Sequence, residues 1–301
     1  MRKITASVLS CLVAALLLSG CITARHQQAF YVSPFNGNSG DYHSLPLRTD
    51  TARTAFYARV AGFGGWANDL QTDQFSGGDI SLYAAQHQGM WQWYYGLDAT
   101  FGSYVLGNWH ARYAPNILPV NYDIPFPPPA TAKELNALSG PRSFGGAGFS
   151  GGFNGVIRMG QGEWRFLGVE TALHQEFGDY LHFRRQLPDS LATYIVRGSF
   201  LATVGLTTEW IFRTRQGDLG LRLAGGGYLG SAYHPAGVYD SVSQQYLHYG
   251  YLNFAFHYTF GQYTGYAMGE TGTKSGSLRL GLIYRLNRPL LPPKQPSRSG
   301  F

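Results

Sequence analysis

Residues 196–212 read VRGSFLATVGLTTEWIF, and the alternation within them decides the fold. Successive side chains of a β-strand point to opposite faces. One parity carries Val196, Phe200, Ala202, Val204, Leu206, Trp210 and Phe212; the other carries Arg197, Ser199, Thr203, Thr207 and Glu209. The same split recurs on both sides. Leu219, Leu221, Leu223 and Leu229 oppose Arg222, while Leu278, Leu280, Leu282, Tyr284 and Leu286 oppose Arg279 and Arg285. Upstream, Leu167, Val169 and Leu173 oppose Glu170, His174 and Glu176.

Strand-like segments fill the chain from about Arg53 to Asn287: 53–67, 78–88, 91–106, 143–159, 163–185, 192–214, 219–233, 244–260, 263–271 and 275–287. The ninth is the weakest, diluted by Gly265 and Gly269. Connections after the even-numbered segments are short: Gly89-Met90, Gly160-Gln161-Gly162, Arg215-Gln216-Gly217-Asp218 and Gly261-Gln262. Those after the odd-numbered segments are longer (68–77, 107–142, 186–191, 234–243), except 272–274. Short turns alternating with long loops around an even number of strands mark an all-β, antiparallel up-and-down transmembrane β-barrel, with the turns in the periplasm. Ten strands are expected, with eight and twelve as alternatives.

Parity alone does not say which face is inside, because a soluble barrel and a membrane barrel share the pattern and invert its meaning. The aromatics decide it. Trp91, Trp93, Tyr95, Trp210, Phe212, Tyr258, Phe260 and Tyr284 all fall on the apolar parity near periplasmic strand ends. That placement is an aromatic girdle at a membrane interface. Composition agrees, since charged residues are 13 % of the chain, aromatics 15 %, and 40 residues are Gly. Average soluble domains carry roughly 25 % charge. No run after Cys21 approaches the ~20 apolar residues of a membrane-spanning helix. The net charge of +6 forms no basic stripe of the nucleic-acid type, and no nucleic-acid partner is expected.

The first 20 residues form an export signal: Arg2 and Lys3, an apolar core from Val8 to Leu18, then Leu18-Ser19-Gly20-Cys21. Leu-Ser-Gly-Cys resembles the lipobox of bacterial lipoproteins. The resemblance covers only these 21 residues. It implies cleavage before Cys21, a diacylglycerol on its sulfur and an acylated new N-terminus, with membrane lipid as the first partner. It also implies an anchor in the inner leaflet of the outer membrane. Ile22 stands where Asp would retain an enterobacterial lipoprotein at the inner membrane, and no acidic run of the surface-sorting kind follows. Cys11 leaves with the signal, so the mature chain has no disulfide and no thiolate metal site. Residues 21–52, with Asn36-Gly37-Asn38-Ser39-Gly40, are expected as an irregular periplasmic lead-in. Both termini are then periplasmic.

On the polar parity, Arg59, Asp79, Asp98, Glu170, Arg197, Glu209, Arg222 and Arg279 are expected to share the lumen. Paired charges with long arginines fill a ten-strand lumen, because buried charges demand partners. A narrow path for ions or small solutes is the alternative. Catalytic chemistry finds little support. Of the rim histidines His87, His110, His174, His182, His234, His248 and His257, none has a hydrolase context, and no G-x-S-x-G occurs. Glu170 and His174 on one strand face stand ~13 Å apart by strand rise, too far to pair directly, with Glu176 one same-face step from His174. No metal or cofactor is expected. Loop 107–142, with Pro115, Pro119, Pro125 and Pro127-Pro128-Pro129, Trp109, Tyr113, Tyr122, Phe126 and a helical stretch near Thr131–Leu138, is a lid or a binding surface. The tail Arg288–Phe301 has four prolines and three cations, Arg288, Lys294 and Arg298. An envelope protein could dock on either.

The resulting expectation is a lipid-anchored integral outer-membrane barrel with a structural, interaction or accessory role in the envelope and no catalysis. A lipid-modifying barrel enzyme and a soluble, lipid-tethered barrel with an apolar ligand cavity complete the alternatives.

Overall fold

The computed structural model describes residues 30–47, 53–68, 73–107, 129–160, 162–192, 194–229, 238–240, 245–247 and 250–287. Cys21, most of loop 107–142 and the tail 288–301 lie outside the described residues. The described strands are β1 (Phe30–Tyr31), β2 (Thr54–Ala67), β3 (Asp73–Gln88), β4 (Trp91–Leu106), β5 (Gly140–Met159), β6 (Gly162–Phe177), β7 (Tyr194–Ile195), β8 (Phe200–Arg213), β9 (Asp218–Leu229), β10 (Val238–Asp240), β11 (Gln245–Leu247), β12 (Gly250–Phe260), β13 (Tyr263–Gly272) and β14 (Ser275–Arg285). Two helices, α1 (Pro129–Ala137) and α2 (Asp179–Gln186), sit in the long connections.

Ten of these strands form one closed barrel in the order β2-β3-β4-β5-β6-β8-β9-β12-β13-β14. Every neighbouring pair is antiparallel, and β14 closes on β2 from Ser275↔Ala67 to Arg285↔Tyr57. Closure leaves no unpaired strand edge, which is what a hydrocarbon environment demands of a sheet. Alternation carries the apolar parity outward: Leu97 is 67 % exposed, Leu82 63 %, Leu206 60 % and Leu280 59 %. The opposite parity is buried and polar, with Arg59, Asp79, Asp98, Glu170, Glu209, Arg222 and Arg279. A continuous apolar exterior around a charged interior is the inverse of a water-soluble barrel, and the fold is that of a membrane-spanning β-barrel.

Several boundaries differ from the sequence reading, three of them with a clear local cause. The segment expected at 78–88 begins at Asp73, because Asp73 is tied down by Tyr104 (2.9 Å), the Gly107 N–H (3.0 Å) and Asn68 (3.2 Å). The segment expected at 163–185 ends at Phe177. Gly178 turns the chain at φ 111°, where an added Cβ would meet the Ser143 backbone, and α2 follows. Asp179 in its first turn and Arg184 and Arg185 in its last complement the helix dipole. The segment expected at 192–214 begins at Phe200, because Tyr194–Ile195 pair in parallel with Phe30–Tyr31 instead.

Of the lead-in expected at 21–52, the structure describes residues 30–47, and these lie inside the barrel. Residues 30–47 are almost entirely buried, and they run through the lumen from the long-loop mouth to the short-turn mouth. Phe30 N–H donates to Asn68 just past β2 (2.8 Å), on the side of the long connections. At the far end, the Pro46 carbonyl accepts from Gln92 at the start of β4 (2.8 Å), beside the Gly89-Met90 turn. The described part of the chain therefore begins at one mouth, while β14 ends at the other.

Candidate functional site

The site is the interface between the 30–47 segment and the lumen wall. Near the long-loop mouth the segment turns tightly: Asn36 N–H donates to the Ser33 carbonyl (2.9 Å), and Gly37 adopts φ 79°. Hydroxyls of the wall satisfy this backbone. Tyr228 accepts from Gly37 N–H (2.8 Å), while Ser275 and Ser277 donate to the carbonyls of Asn36 and Gly37 (2.6 Å each). One step deeper, the Glu270 carboxylate takes the backbone N–H groups of Ser39 (2.8 Å) and Gly40 (2.7 Å). A carboxylate on β13 thus acts on the segment as a fixed acceptor, with no cation against it in these contacts.

At mid-lumen, Asp41 lies between Arg59 of β2 (2.8 Å) and Arg279 of β14, with which it also forms a direct ion pair. Arg59 reaches Asp79 (2.9 Å) and Asp98 (3.6 Å), and Arg279 reaches Asp79 (3.5 Å) and the Gly40 carbonyl (2.7 Å). Two guanidiniums from the strands that close the barrel therefore grip one carboxylate from the threaded segment. Tyr42 donates to Glu209 (3.0 Å) and stacks on His257 at 4.7 Å. Glu209 in turn pairs with Arg165 and with His257 (2.8 Å), and Arg165 donates to the Leu45 carbonyl (3.1 Å). Glu170 pairs with Arg222 and accepts from Tyr251 (3.1 Å). His43 stacks on Tyr94 at 4.4 Å and meets Ser150 at 3.3 Å.

Of the eight charges expected in the lumen, the structure places seven there. Arg197 is the exception, since it lies before the start of β8 and pairs with exposed Asp189 at the mouth (2.7 Å). Glu170, His174 and Glu176, the nearest approach to a site in the sequence, have separate partners. Glu170 faces Arg222, Glu176 faces Arg184 of α2, and His174 stacks on Phe35 at 5.2 Å. His182 is exposed on α2, and His110, His234 and His248 lie outside the described residues. The eight girdle aromatics all point outward at the short-turn end, where Trp91 stacks on Phe153 (4.8 Å) and Tyr284 meets Tyr263 (5.1 Å).

Sequence reasoning missed Asp41, Arg165 and Glu270. Glu270 was legible, because it shares the inward parity of Thr264, Tyr266 and Met268. Arg165 was not: it has the parity of outward-facing Leu167, yet the pairing of β6 with β8 slips between Arg165 and Gly168. A bulge of this kind exchanges the faces of everything beyond it.

Two chemistries suggested by the residue types are closed off by geometry. Asp41, His43 and Asp98 bring ligand atoms within 4.8 Å of one another, but the Arg59 guanidinium already occupies the cation position between the two carboxylates. Ser150, His43 and Asp98 resemble a nucleophile, base and acid. The cavity beside His43, lined also by Tyr94, Asn154, Glu170, Glu209 and Arg222, is about 20 Å³. That is the space of one water molecule, with no room for an acyl group.

The long-loop mouth is capped differently. Leu135 of α1 and Tyr180 and Phe183 of α2 pack with Tyr31, Tyr104, Phe144, Leu187 and Leu191 in one apolar cluster. Tyr180 is fully buried and stacks on Tyr104 at 3.8 Å. The helical stretch expected near Thr131–Leu138 is thus part of a lid.

No family model matches the chain, and no curated protein does. Among solved structures, the chain is similar to the translocator domain of the autotransporter NalP from Neisseria meningitidis (8 % identity, 80 % of this chain and 91 % of that one, TM-score 0.37). It is likewise similar to the β-domain of the Bordetella autotransporter BrkA (12 %, 78 % and 100 %, TM-score 0.41) and to the KdgM porin (10 %, 78 % and 99 %, TM-score 0.27). Likenesses this distant carry no argument about activity.

Proposed function

We infer that the protein is a lipid-anchored integral β-barrel of the bacterial outer membrane with a structural or interaction role, its lumen sealed by its own N-terminal segment. The sealed lumen carries this reading. Residues 30–47 fill the barrel along its length, and the mid-lumen cavity left beside them holds about 20 Å³. A channel needs a continuous wet path, and an enzyme needs a pocket that admits substrate. Among the described residues, the lumen adds only a cavity of about 80 Å³ at the short-turn mouth, lined by Tyr42, Arg165, His257 and Arg285, well below the ~300 Å³ of a small-molecule site. The surfaces left for function are the lid of α1 and α2 with the loops around it, and the tail 288–301; an envelope protein is the partner class either would take. Export by the signal, the lipobox at Cys21 and the apolar exterior of the barrel support the outer membrane.

Carbonate-washed outer membranes and planar bilayers test this. The wild-type protein and a Cys21→Ala protein exported through a substituted signal should both resist carbonate and shift in gel mobility on boiling. Purified wild type should produce no conductance steps. Regular single-channel openings of the wild type would replace this reading with that of a channel.

A further inference from the structure

We propose that the acyl chains on Cys21 insert into the outer leaflet of the membrane, at the cell surface, and that residues 30–47 are the path by which the N-terminus crosses to that side. The proposal rests on the lipobox reading and on the long connections facing outward. It departs from the anchor position that the residues after Cys21 imply.

The geometry begins at Phe30. Its N–H is bonded to Asn68, its ring lies 5.3 Å from the Lys274 ammonium, and Tyr31 pairs across to Ile195. Asn68, Lys274 and Ile195 all belong to connections at the long-loop mouth. Eight residues lie between Cys21 and Phe30, so the nine steps reach at most roughly 30 Å when fully extended. From that mouth, two routes lead back toward the inner leaflet. The lumen route is occupied by residues 30–47 themselves, which leave about 20 Å³ at mid-lumen. The outside route would lay bare backbone along a hydrocarbon band about 25 Å tall, with no partners for its N–H and C=O groups. Cys21 therefore stays on the side of Phe30, where the nearest lipid is the outer leaflet around the barrel rim.

The contacts also show how the crossing is fixed. The segment's partners include Thr264, Glu270 and Thr273 of the β13 hairpin, Ser275, Ser277 and Arg279 of β14, and Arg59 of β2. These strands flank the β14–β2 closure, so the barrel closes around the segment. Three acyl chains and a membrane-spanning wall then hold the protein, giving a surface lipoprotein that carries its own conduit.

The test uses the full chain in a Gram-negative host. Alkynyl palmitate reports acylation, compared between wild type and Cys21→Ala. A site for a specific protease is inserted between His26 and Gln27, or as a control between Gly89 and Met90, and heat-modifiable mobility verifies that each protein is folded. Should the insertion prevent folding, Gln28→Cys labelled on intact cells with a membrane-impermeant maleimide gives the same readout. The expected result is Cys21-dependent labelling with cleavage after His26 on intact cells, the control site being cut only after the outer membrane is permeabilised. Labelling with cleavage after His26 only on permeabilised cells would place the anchor in the inner leaflet and overturn the proposal. So would cleavage of the control site on intact cells, which would invert the barrel. Loss of Cys21-dependent labelling would remove the lipobox reading itself, and the outer-leaflet anchor with it, whichever side His26 occupies.

Discussion

At mid-lumen the threaded segment is held by guanidinium–carboxylate contacts, whereas at the long-loop mouth it is held by aromatic and aliphatic packing. The difference follows from what lies outside each region. Around the middle of the barrel the apolar parity faces lipid, so the wall has only its polar parity to turn inward. A segment passing through must bring the complementary charge, as Asp41 does. At the mouth no lipid competes for the apolar residues, and Tyr31, Tyr104, Tyr180 and Leu135 build the kind of core that a soluble domain has. Burial supplies free energy there in proportion to area, about 25 cal/mol per Å². Charge pairs in the middle are offset by the loss of their hydration and chiefly fix where the segment sits.

The largest expected effect is therefore from breaking the middle without changing its shape. Asp41→Asn keeps the side-chain volume but leaves Arg59 and Arg279 sharing only Asp79 and Asp98. Removing one partner of a buried pair costs about 3–5 kcal/mol. The unfolding midpoint in urea, followed by loss of heat-modifiable mobility, should fall accordingly, and planar bilayers should show openings that the wild type lacks. An unchanged midpoint with a silent bilayer would mean that the mouth alone retains the segment.

Breaking the mouth should cost less and leave the lumen shut. Leu135→Ala removes the α1 anchor from the apolar cluster, where Leu135 is 3 % exposed. Large-to-small changes of this type cost about 2–5 kcal/mol, the lower end applying where, as on a short cap helix, the site can collapse. Proteolysis of intact cells should then cut near α1 faster than in wild type, with no conductance. Conductance in this variant would make the lid, and not the charges, the seal.

The contrast also separates what the sequence showed from what it hid. Alternation made ten strands, their direction and seven of the lumen charges legible, because lipid outside and charge inside impose a two-residue period on every strand. Asp41 was hidden because residues 30–47 have no period: their backbone is satisfied by side chains such as Glu270, Ser275 and Ser277, not by a ladder. Asn-Gly-Asn-Ser-Gly reads the same whether water or a barrel wall receives its hydrogen bonds. Gly146 shows the wall's half of the fit, since a Cβ there would collide with the Phe35 ring. That glycine was visible in the sequence, but its reason lies 111 residues upstream.

A smaller effect is expected where the segment leaves the lumen. Gln92 is 1 % exposed and donates to the Pro46 carbonyl, a neutral hydrogen bond at the short-turn mouth. Gln92→Ala should lower stability by about 1 kcal/mol, without openings in a bilayer, because Tyr42 and Leu45 remain bound to Glu209 and Arg165. A loss as large as that of Asp41→Asn would show that the exit, and not the middle, fixes the segment.

The smallest effect sharpens the comparison between charges inside and outside the wall. Arg197 and Arg279 belong to the same parity pattern in sequence, but Arg279 is buried against Asp41 while the Arg197 side chain is 39 % exposed. Its partner Asp189 is 86 % exposed, so water screens the pair and competes for both groups. What Arg197 adds beyond that pair is a hydrogen bond to the Leu187 carbonyl (2.7 Å), just after α2. Arg197→Ala should therefore lower the urea midpoint by less than about 1 kcal/mol, and the loss should shrink further in high salt. The loss from Asp41→Asn should hardly depend on salt, because counterions do not reach the middle of a filled lumen. Equal salt dependence in the two variants would mean that water and ions penetrate to Asp41, and that the lumen is wetter than its packing implies.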